Sequence, residues 1–381
     1  MPTGHLKSKV VKMYKKQVAI IDVGSSELRA VVAESGVNNT FIIKGKKTFS
    51  YDGFSSGAFF DIDILKSALL SAGDYLKRVA RKDVDTVFVG VPGDFTQIIV
   101  KDSQISFEKS KKITEEDVDK LYDGAFVSPS AKTTLINRSA VVYELGDFRR
   151  LANPIGSQSE ILKGKLSFIV CDNYFIECFK PALKACGFNN VEFVSTPLAE
   201  AMYLFDAESR DRISILVDVG YITTTLSVVQ GDGIVYQYTF DYGGGYITGV
   251  ISQSFDIDFD DAEILKRKIN LSRITDGNPL EILDGNKGRY YSISELKNIV
   301  STCIDNFCEE ISNALDKVGF NIPEYVPLKI TGGGIAFIRG AKEHVANRLG
   351  MSVELIAPAV PLMDSPLESA VLSLLDIALQ Q

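Results

Sequence analysis

Histidine is nearly missing from this chain: two occur in 381 residues, too few for a histidine-built metal site or imidazole-based catalysis. Cysteine is scarce as well. The five present (Cys171, Cys178, Cys186, Cys303, Cys308) show no metal-ligand spacing. Cys171, Cys178 and Cys186 fall on apolar stretches, as core thiols of a reducing cytosol do. No run of about 18 apolar residues exists, nor a charged start, apolar run and small-residue cleavage site at the N-terminus. These absences point to a soluble, cytoplasmic protein. A net charge of −8 argues against a general nucleic-acid binder, which needs a basic face. What is present, 381 residues at 45% hydrophobic composition, suffices for one large two-lobed core or two domains.

Residues 1–16 differ from the rest. Lys7, Lys9, Lys12, Lys15 and Lys16 are interleaved with Leu6, Val10, Val11, Met13 and Tyr14. On a helical wheel Leu6, Val10, Met13 and Tyr14 share one side, with most of the lysines opposite. Two readings stand: a solvated basic arm, or a short amphipathic helix lying on an anionic membrane surface.

One phrase occurs twice. Ile20-Ile21-Asp22-Val23-Gly24-Ser25-Ser26 runs on through Leu28–Val32, and Leu216-Val217-Asp218-Val219-Gly220 runs on through Thr223–Val229. Each copy reads as a buried strand, a tight Asp-x-Gly turn and a returning strand. A carboxylate ending a buried strand is costly unless it faces a cleft, water or a cation. An ordinary hairpin in which the Asp makes its own turn bonds accounts for one copy alone. Two copies at matching places in two half-chains favour a phosphate site. The turn N–H groups cradle the anion, Ser25 and Ser26 add hydroxyls, Arg29 adds charge, and Asp22 and Asp218 hold Mg²⁺ through water.

Strands and helices alternate in both halves, so two α/β lobes are expected. The reading gives strands over 18–34 and near 39–50, and a helix at 61–80 whose apolar residues recur from Ile64 to Val79. A strand at 86–92 leads into a strand-and-helix block, with a helix capped by Thr114 and acids in its first turn. The second half gives a helix at 173–186, a strand at 191–194, a helix at 197–206 and the second hairpin with its partner strand 234–240. Residues 246–324 read as mostly helical with a polar loop near 276–288. A strand at 328–331, a strand at 352–356 and a closing helix at 366–379 complete the chain. Gly243-Gly244-Gly245 and Thr331-Gly332-Gly333-Gly334 are two more turns where a ligand can approach bare backbone at a helix N-terminus. Glu263 and Lys266 lie three apart on a helix, either as an exposed ion pair or as contacts to a ribose and base.

At these residues the chain resembles the actin-like ATPase superfamily, and most closely the bacterial cell-division family FtsA, over about 17–379. Asp22-Val-Gly-Ser-Ser is similar to the first phosphate motif, and Asp218-Val-Gly with Thr223 and Thr224 to the second. Thr331-Gly-Gly-Gly-Ile resembles the adenosine motif, and Ala262-Glu-Ile-Leu-Lys the nucleotide-facing helix. Val89–Gly93, Ile113–Val118 and Asn153–Gly156 resemble phrases bracketing the subdomain that this family inserts. Thr196–Ala201 and Pro366–Ala370 resemble the helices that connect the lobes. The resemblance implies ATP and Mg²⁺ as cofactors, with Gly24, Ser25, Ser26, Arg29, Gly220, Thr223, Thr224, Gly243, Gly244, Glu263, Lys266 and Gly332–Gly334 around the nucleotide. It implies self-association into protofilaments, a tubulin-like FtsZ partner, slow or absent hydrolysis, and recruitment to the inner membrane face at the division site. Its division of the chain is a basic arm (1–16), a first lobe (17–85 with 366–381), an inserted subdomain (86–165), a second lobe (166–245 with 325–365) and a helical subdomain (246–324). In that family the partner site lies in the subdomain corresponding to 246–324.

Three departures bear on function. Tyr221 and Ile222 stand where the family usually has glycines. Thr196 stands where many relatives have Glu; if that carboxylate positions water, hydrolysis suffers more than binding. The chain also stops at the closing helix of the fold, so membrane contact, if any, is expected from residues 1–16. Two other functions fit the superfamily: a PilM-like ATP-binding adaptor of type IV pilus assembly, resembled by Asp218–Thr225, and a small-molecule kinase or phosphatase. The last needs a catalytic carboxylate in a substrate pocket. Only Asp22, Asp218 and Glu200 offer one, and Glu200, on a connecting helix, is expected to be an ordinary surface or hinge residue.

Overall fold

The computed structural model describes residues 16–36, 40–126, 130–272, 280–284 and 287–381. Nearly all of the basic arm therefore lies outside the described residues, as does much of the expected polar loop.

The chain begins with an antiparallel meander of β1 (Gln17–Val23), β2 (Glu27–Ser35) and β3 (Phe41–Ser50), then a small ribbon of β4 (Phe54–Ser55) and β5 (Ala58–Phe59). Helix α1 (Ile62–Val79) follows. Asp61 caps it by accepting from the N–H groups of Asp63 and Ile64, and Leu65, Leu69 and Leu76 form its buried face. β6 (Thr86–Val91) then lies parallel beside β1. A four-stranded antiparallel sheet comes next, from β7 (Thr96–Lys112), β8 (Thr133–Leu145), β9 (Arg150–Leu151) and β10 (Gln158–Asp172), in the order β7-β10-β8-β9. Helix α2 (Glu115–Ala125) covers it through Leu121, packed with Leu162 and Phe168. Its first turn is a capping box between Thr114 and Asp117.

The chain then returns to the first sheet. α3 (Asn173–Ala185) puts Phe175 and Phe179 against Phe59 and Phe95, and β11 (Asn190–Ser195) pairs in parallel with β6. The finished order is β11-β6-β1-β2-β3. α4 (Thr196–Leu204) and the short α5 (Ala207–Asp211) lead into the second lobe. There β12 (Ser214–Val219), β13 (Thr224–Gln230) and β14 (Gly233–Phe240) form another meander. After α6 (Gly244–Phe255) and α7 (Phe259–Lys268) comes a ribbon of β15 (Leu280–Asp284) and β16 (Lys287–Tyr291), then α8 (Ile293–Asp316). β17 (Leu328–Thr331), α9 (Ala341–Leu349) and β18 (Val353–Leu355) complete a sheet in the order β14-β13-β12-β17-β18, and α10 (Ser369–Gln380) closes the chain. Both lobes thus share one plan: a three-strand meander extended, beyond its first strand, by two successive parallel strands. The expected α/β architecture of two mixed sheets flanked by helices is what is found.

The expected boundaries shift in two places. β6, assigned to the insert (86–165), is a central strand of the first lobe. α3 and β11, assigned to the second lobe (166–245), also belong to the first. Parallel pairing needs a long crossover, so β1, β6 and β11 are brought together by contacts remote in sequence. The expected loop near 276–288 overlaps the β15–β16 ribbon, in which Asp284 pairs with Lys287. The first sheet is covered by α1 and α3 on one face and by α10 on the other. The second is covered by α6 to α9. α4 and α10 pack on one another between the lobes, and the Thr331 and Ser369 hydroxyls meet at 2.6 Å.

Candidate functional site

The repeated phrase builds the same turn twice. Gly24 N–H donates to the Glu27 carbonyl at 3.0 Å, and Gly220 N–H to the Thr223 carbonyl at 3.0 Å. The two turns touch across the lobes: Ile222 N–H donates to Ser25 Oγ at 2.9 Å. The first turn is braced from below by the Tyr51 hydroxyl, which donates to the Gly24 carbonyl at 2.7 Å. The second is braced by the glycine loops. Gly244 N–H donates to the Gly220 carbonyl at 3.0 Å, and Gly334 N–H to the Val219 carbonyl at 2.8 Å. Gly332 has φ of +83°, and a Cβ there would collide with Asp218 Oδ1 and come within 2.5 Å of the Val219 carbonyl. Only glycine lets these loops stack so closely.

Between the turns lies a cleft of about 450 Å³, within the range of small-molecule sites. The first lobe contributes Asp22, Gly24, Ser25, Ser26 and Arg29 to its wall, and the second contributes Asp218, Gly220, Thr223, Glu263, Lys266 and Gly332–Gly334. Three expected residues do not face it. The Thr224 hydroxyl turns away and donates to the Tyr242 carbonyl at 2.5 Å. Strand alternation instead brings Thr223 and Thr225 to the cleft side. Gly243 and Gly244 stand behind the wall, with Gly244 packed on the Gly334 backbone.

In the acidic centre Asp22 is buried and Asp218 half-buried. Burial raises Asp22, with Arg29 partly opposing the shift. Burial and then Asp22 raise Asp218 to about 6, again against Arg29. Arg29, expected to add charge toward a phosphate, lines the cleft with its guanidinium already engaged. Its Nη1 lies 3.5 Å from Asp22 and donates to the Leu367 carbonyl at 2.7 Å, and its Nε donates to Glu27 at 2.9 Å. Glu263 and Lys266 form an ion pair at 2.6 Å, but Lys266 is buried rather than exposed and also donates to the Gly244 carbonyl and Thr248 Oγ1, each at 2.9 Å. Burial lowers Lys266. It would raise Glu263, but hydrogen bonds from Lys266, Thr248 and Arg267 outweigh it and hold the carboxyl below its ordinary range.

Four cleft residues were missed or misjudged from sequence. Glu200, expected at a surface or hinge, is 1% exposed and lines the cleft, so that expectation is corrected: α4 is sandwiched between the lobes and presents one polar strip to the cavity. Burial, then Asp218 and Asp22, push Glu200 well above the ordinary carboxylate range. Thr196 lines the same wall. Asp94, in the turn after β6, is raised to about 7 by burial and by Asp241. Thr225 is the fourth. The periodicity of β13 and the i, i+4 spacing of Thr196 and Glu200 were the available signals.

Over 370 residues, 94% of this chain and 83% of its relative, the sequence is 23% identical to the cell division protein FtsA of Enterococcus faecalis. Over 365 residues, 94% and 79% of the two chains, it is 22% identical to FtsA of Streptococcus pneumoniae. The chain is similar to FtsA over nearly its whole length. A family model of the type IV pilus assembly protein PilM also matches residues 192–370. Among solved structures, a PilM–PilN type IV pilus biogenesis complex superimposes with a TM-score of 0.64 at 16% identity, covering 97% of this chain and 100% of that one. MreB5 of Spiroplasma citri bound to AMPPNP does so with 0.55 at 13% identity, covering 94% and 95%. These structures share the actin-like ATPase fold. The FtsA-like phrases have local structural work: Val89–Gly93 carries β6 into the turn bearing Asp94, and the phrase ending at Gly156 closes onto Ile113, Gly156 N–H donating to its carbonyl at 2.8 Å.

The cleft fits a magnesium–polyphosphate ligand on its own terms. It has two aspartates with raised pKa, Asp22 buried and Asp218 half-buried, glycine-lined turns and three buried polar atoms without partners, Glu200 Oε2, Thr196 Oγ1 and Asp94 Oδ2. Among the described residues no three acidic, His or Cys side chains are grouped to hold a metal directly. Asp22 and Asp218 acting through water, with the ligand's phosphates completing the shell, match that donor set.

Proposed function

We propose that this protein is an ATP-binding, actin-like scaffold of bacterial cell division, binding Mg²⁺-ATP between its lobes. The observation that carries the reading is the pairing of the two Asp-x-Gly turns across one cleft, joined by Ser25 and Ile222. In this reading Asp22 and Asp218 organise Mg²⁺ through water. The 24–26 and 220–223 turns receive the phosphates, and Gly332–Gly334 with the buried Glu263–Lys266 pair form the adenosine side. Thr224, Gly243 and Gly244 act behind the wall, by holding the turns in place. The similarity to cell division proteins FtsA over nearly the whole chain supports a role in cell division. In this reading the protein self-associates, meets an FtsZ-type partner at the division site and hydrolyses ATP slowly. The lysine-rich segment 1–16 would supply contact with an anionic membrane. Equal liposome flotation of the full chain and of one lacking those residues would reject that last element.

Equilibrium binding of Mg²⁺-ATP to wild type, Asp22→Ala and Asp218→Ala tests the nucleotide site. Each substitution is expected to weaken binding about tenfold or more, the cost of losing a charge-assisted contact. Wild-type affinity in both variants would refute it. A PilM-like pilus adaptor is the second reading, favoured by the family match over 192–370. Co-purification with FtsZ or with pilus membrane proteins separates the two.

A further inference from the structure

Helix α4 crosses between the lobes with an unusual distribution of polarity. Leu198 and Ala201 enter one apolar cluster and Ala199 another. Thr196 and Glu200, one turn apart and on the same face, line the cleft instead. Both are buried, at 7% and 1% exposed, and Thr196 Oγ1 and Glu200 Oε2 have no hydrogen-bond partner. A carboxylate sequestered near Asp22 and Asp218 with an unpartnered oxygen is destabilising, and an apolar residue would fill the position at lower cost. A carboxylate that accepts and a hydroxyl that donates or accepts are what a localised water requires.

We propose that Glu200, assisted by the Thr196 hydroxyl, holds and deprotonates the water that attacks ATP, making Glu200 the catalytic base of a slow hydrolysis. The inference rests on the nucleotide reading of the cleft. In the step, the water oxygen forms a bond to the γ-phosphorus while the bond from that phosphorus to the β–γ bridging oxygen breaks. The bridging oxygen leaves with the electron pair as part of ADP. The water proton passes to the Glu200 carboxylate and from there to solvent as phosphate departs. The attacking water thus gains a carboxylate one helical turn beyond Thr196.

The full chain, Glu200→Gln and Thr196→Val are compared in three measurements. These are Mg²⁺-ATP affinity, single-turnover cleavage of γ-labelled ATP with protein in excess, and the melting temperature without nucleotide. The proposal expects cleavage by Glu200→Gln to fall at least about 100-fold, the usual contribution of a general base. Affinity stays within about threefold of wild type, and the nucleotide-free melting temperature does not fall, because the amide keeps the size of a carboxyl group that burial already holds toward its neutral form. Thr196→Val cleaves about tenfold more slowly. Wild-type cleavage by Glu200→Gln overturns the proposal alone. So does a wild type that binds Mg²⁺-ATP without cleaving it, or a Glu200→Gln variant that loses affinity and thermal stability together, as a purely structural residue would. Failure of the wild type to bind Mg²⁺-ATP overturns the nucleotide reading and this proposal with it.

Discussion

Replacing Lys266 with methionine removes a charge from the wall of the cleft while keeping most of the side chain's length. The ammonium makes three contacts, with Glu263 at 2.6 Å and with the Gly244 carbonyl and Thr248 Oγ1 at 2.9 Å. Breaking a buried pair by deleting one partner costs about 3–5 kcal/mol, because the other charge is left uncompensated. Here Glu263 retains Arg267 at 2.8 Å and Thr248 at 2.6 Å, so the lower end, about 3 kcal/mol, is expected. Urea unfolding of wild type, Lys266→Met, Glu263→Gln and the double variant measures it as a cycle. The double variant should lose less than the two single losses added. The Glu263 carboxyl is held below its ordinary range in the fold, so the pair's contribution is present above that range and is lost as pH falls through the lowered value. The deficit of Lys266→Met should therefore shrink in acid. A loss under about 1 kcal/mol, or full additivity, would mean that the pair is only a surface ornament of the helix.

Two further outcomes follow from the geometry of the turns. Gly332→Ala must adopt a positive φ and collide with Asp218 Oδ1, so its melting temperature should drop, and an unchanged melt would show that the glycine loop is not packed on the second turn. Asp94 is raised to about 7 in the fold, so between about pH 4 and 7 the folded state holds a proton the unfolded chain has released. Its contribution favours folding at the acid end and disappears as pH rises through 7. The urea midpoint of wild type should therefore fall from pH 5 to pH 8 by more than that of Asp94→Asn, and parallel declines would count against the buried Asp94–Asp241 proximity.

What the sequence disclosed was mostly local. The turns at Asp22 and Asp218 could be read because strand, carboxylate and glycine follow one another within a few residues, and the Thr114 cap because its partner Asp117 is three residues away. What it hid depends on remote packing. Nothing near β6 or β11 says that β6 lies beside β1 and β11 beside β6, since parallel neighbours are joined only through long crossovers. Glu200 looks like an ordinary helical carboxylate until α10 and the second lobe close over α4. The choice of Thr224 over Thr225 was a one-residue error of strand phase, which moves a side chain to the opposite face. Lys266 and Glu263 were correctly paired by spacing, but their depth came from the Gly244 loop, remote in sequence and folded over them.

The most direct test is the structure of the full chain crystallised with Mg²⁺ and a non-hydrolysable ATP analogue. The account predicts the phosphates between the 24–26 and 220–223 turns, the cation bridged by water to Asp22 and Asp218, and the base beside Glu263 and Lys266. An analogue bound elsewhere, or a cleft that stays empty at saturating concentration, would contradict it.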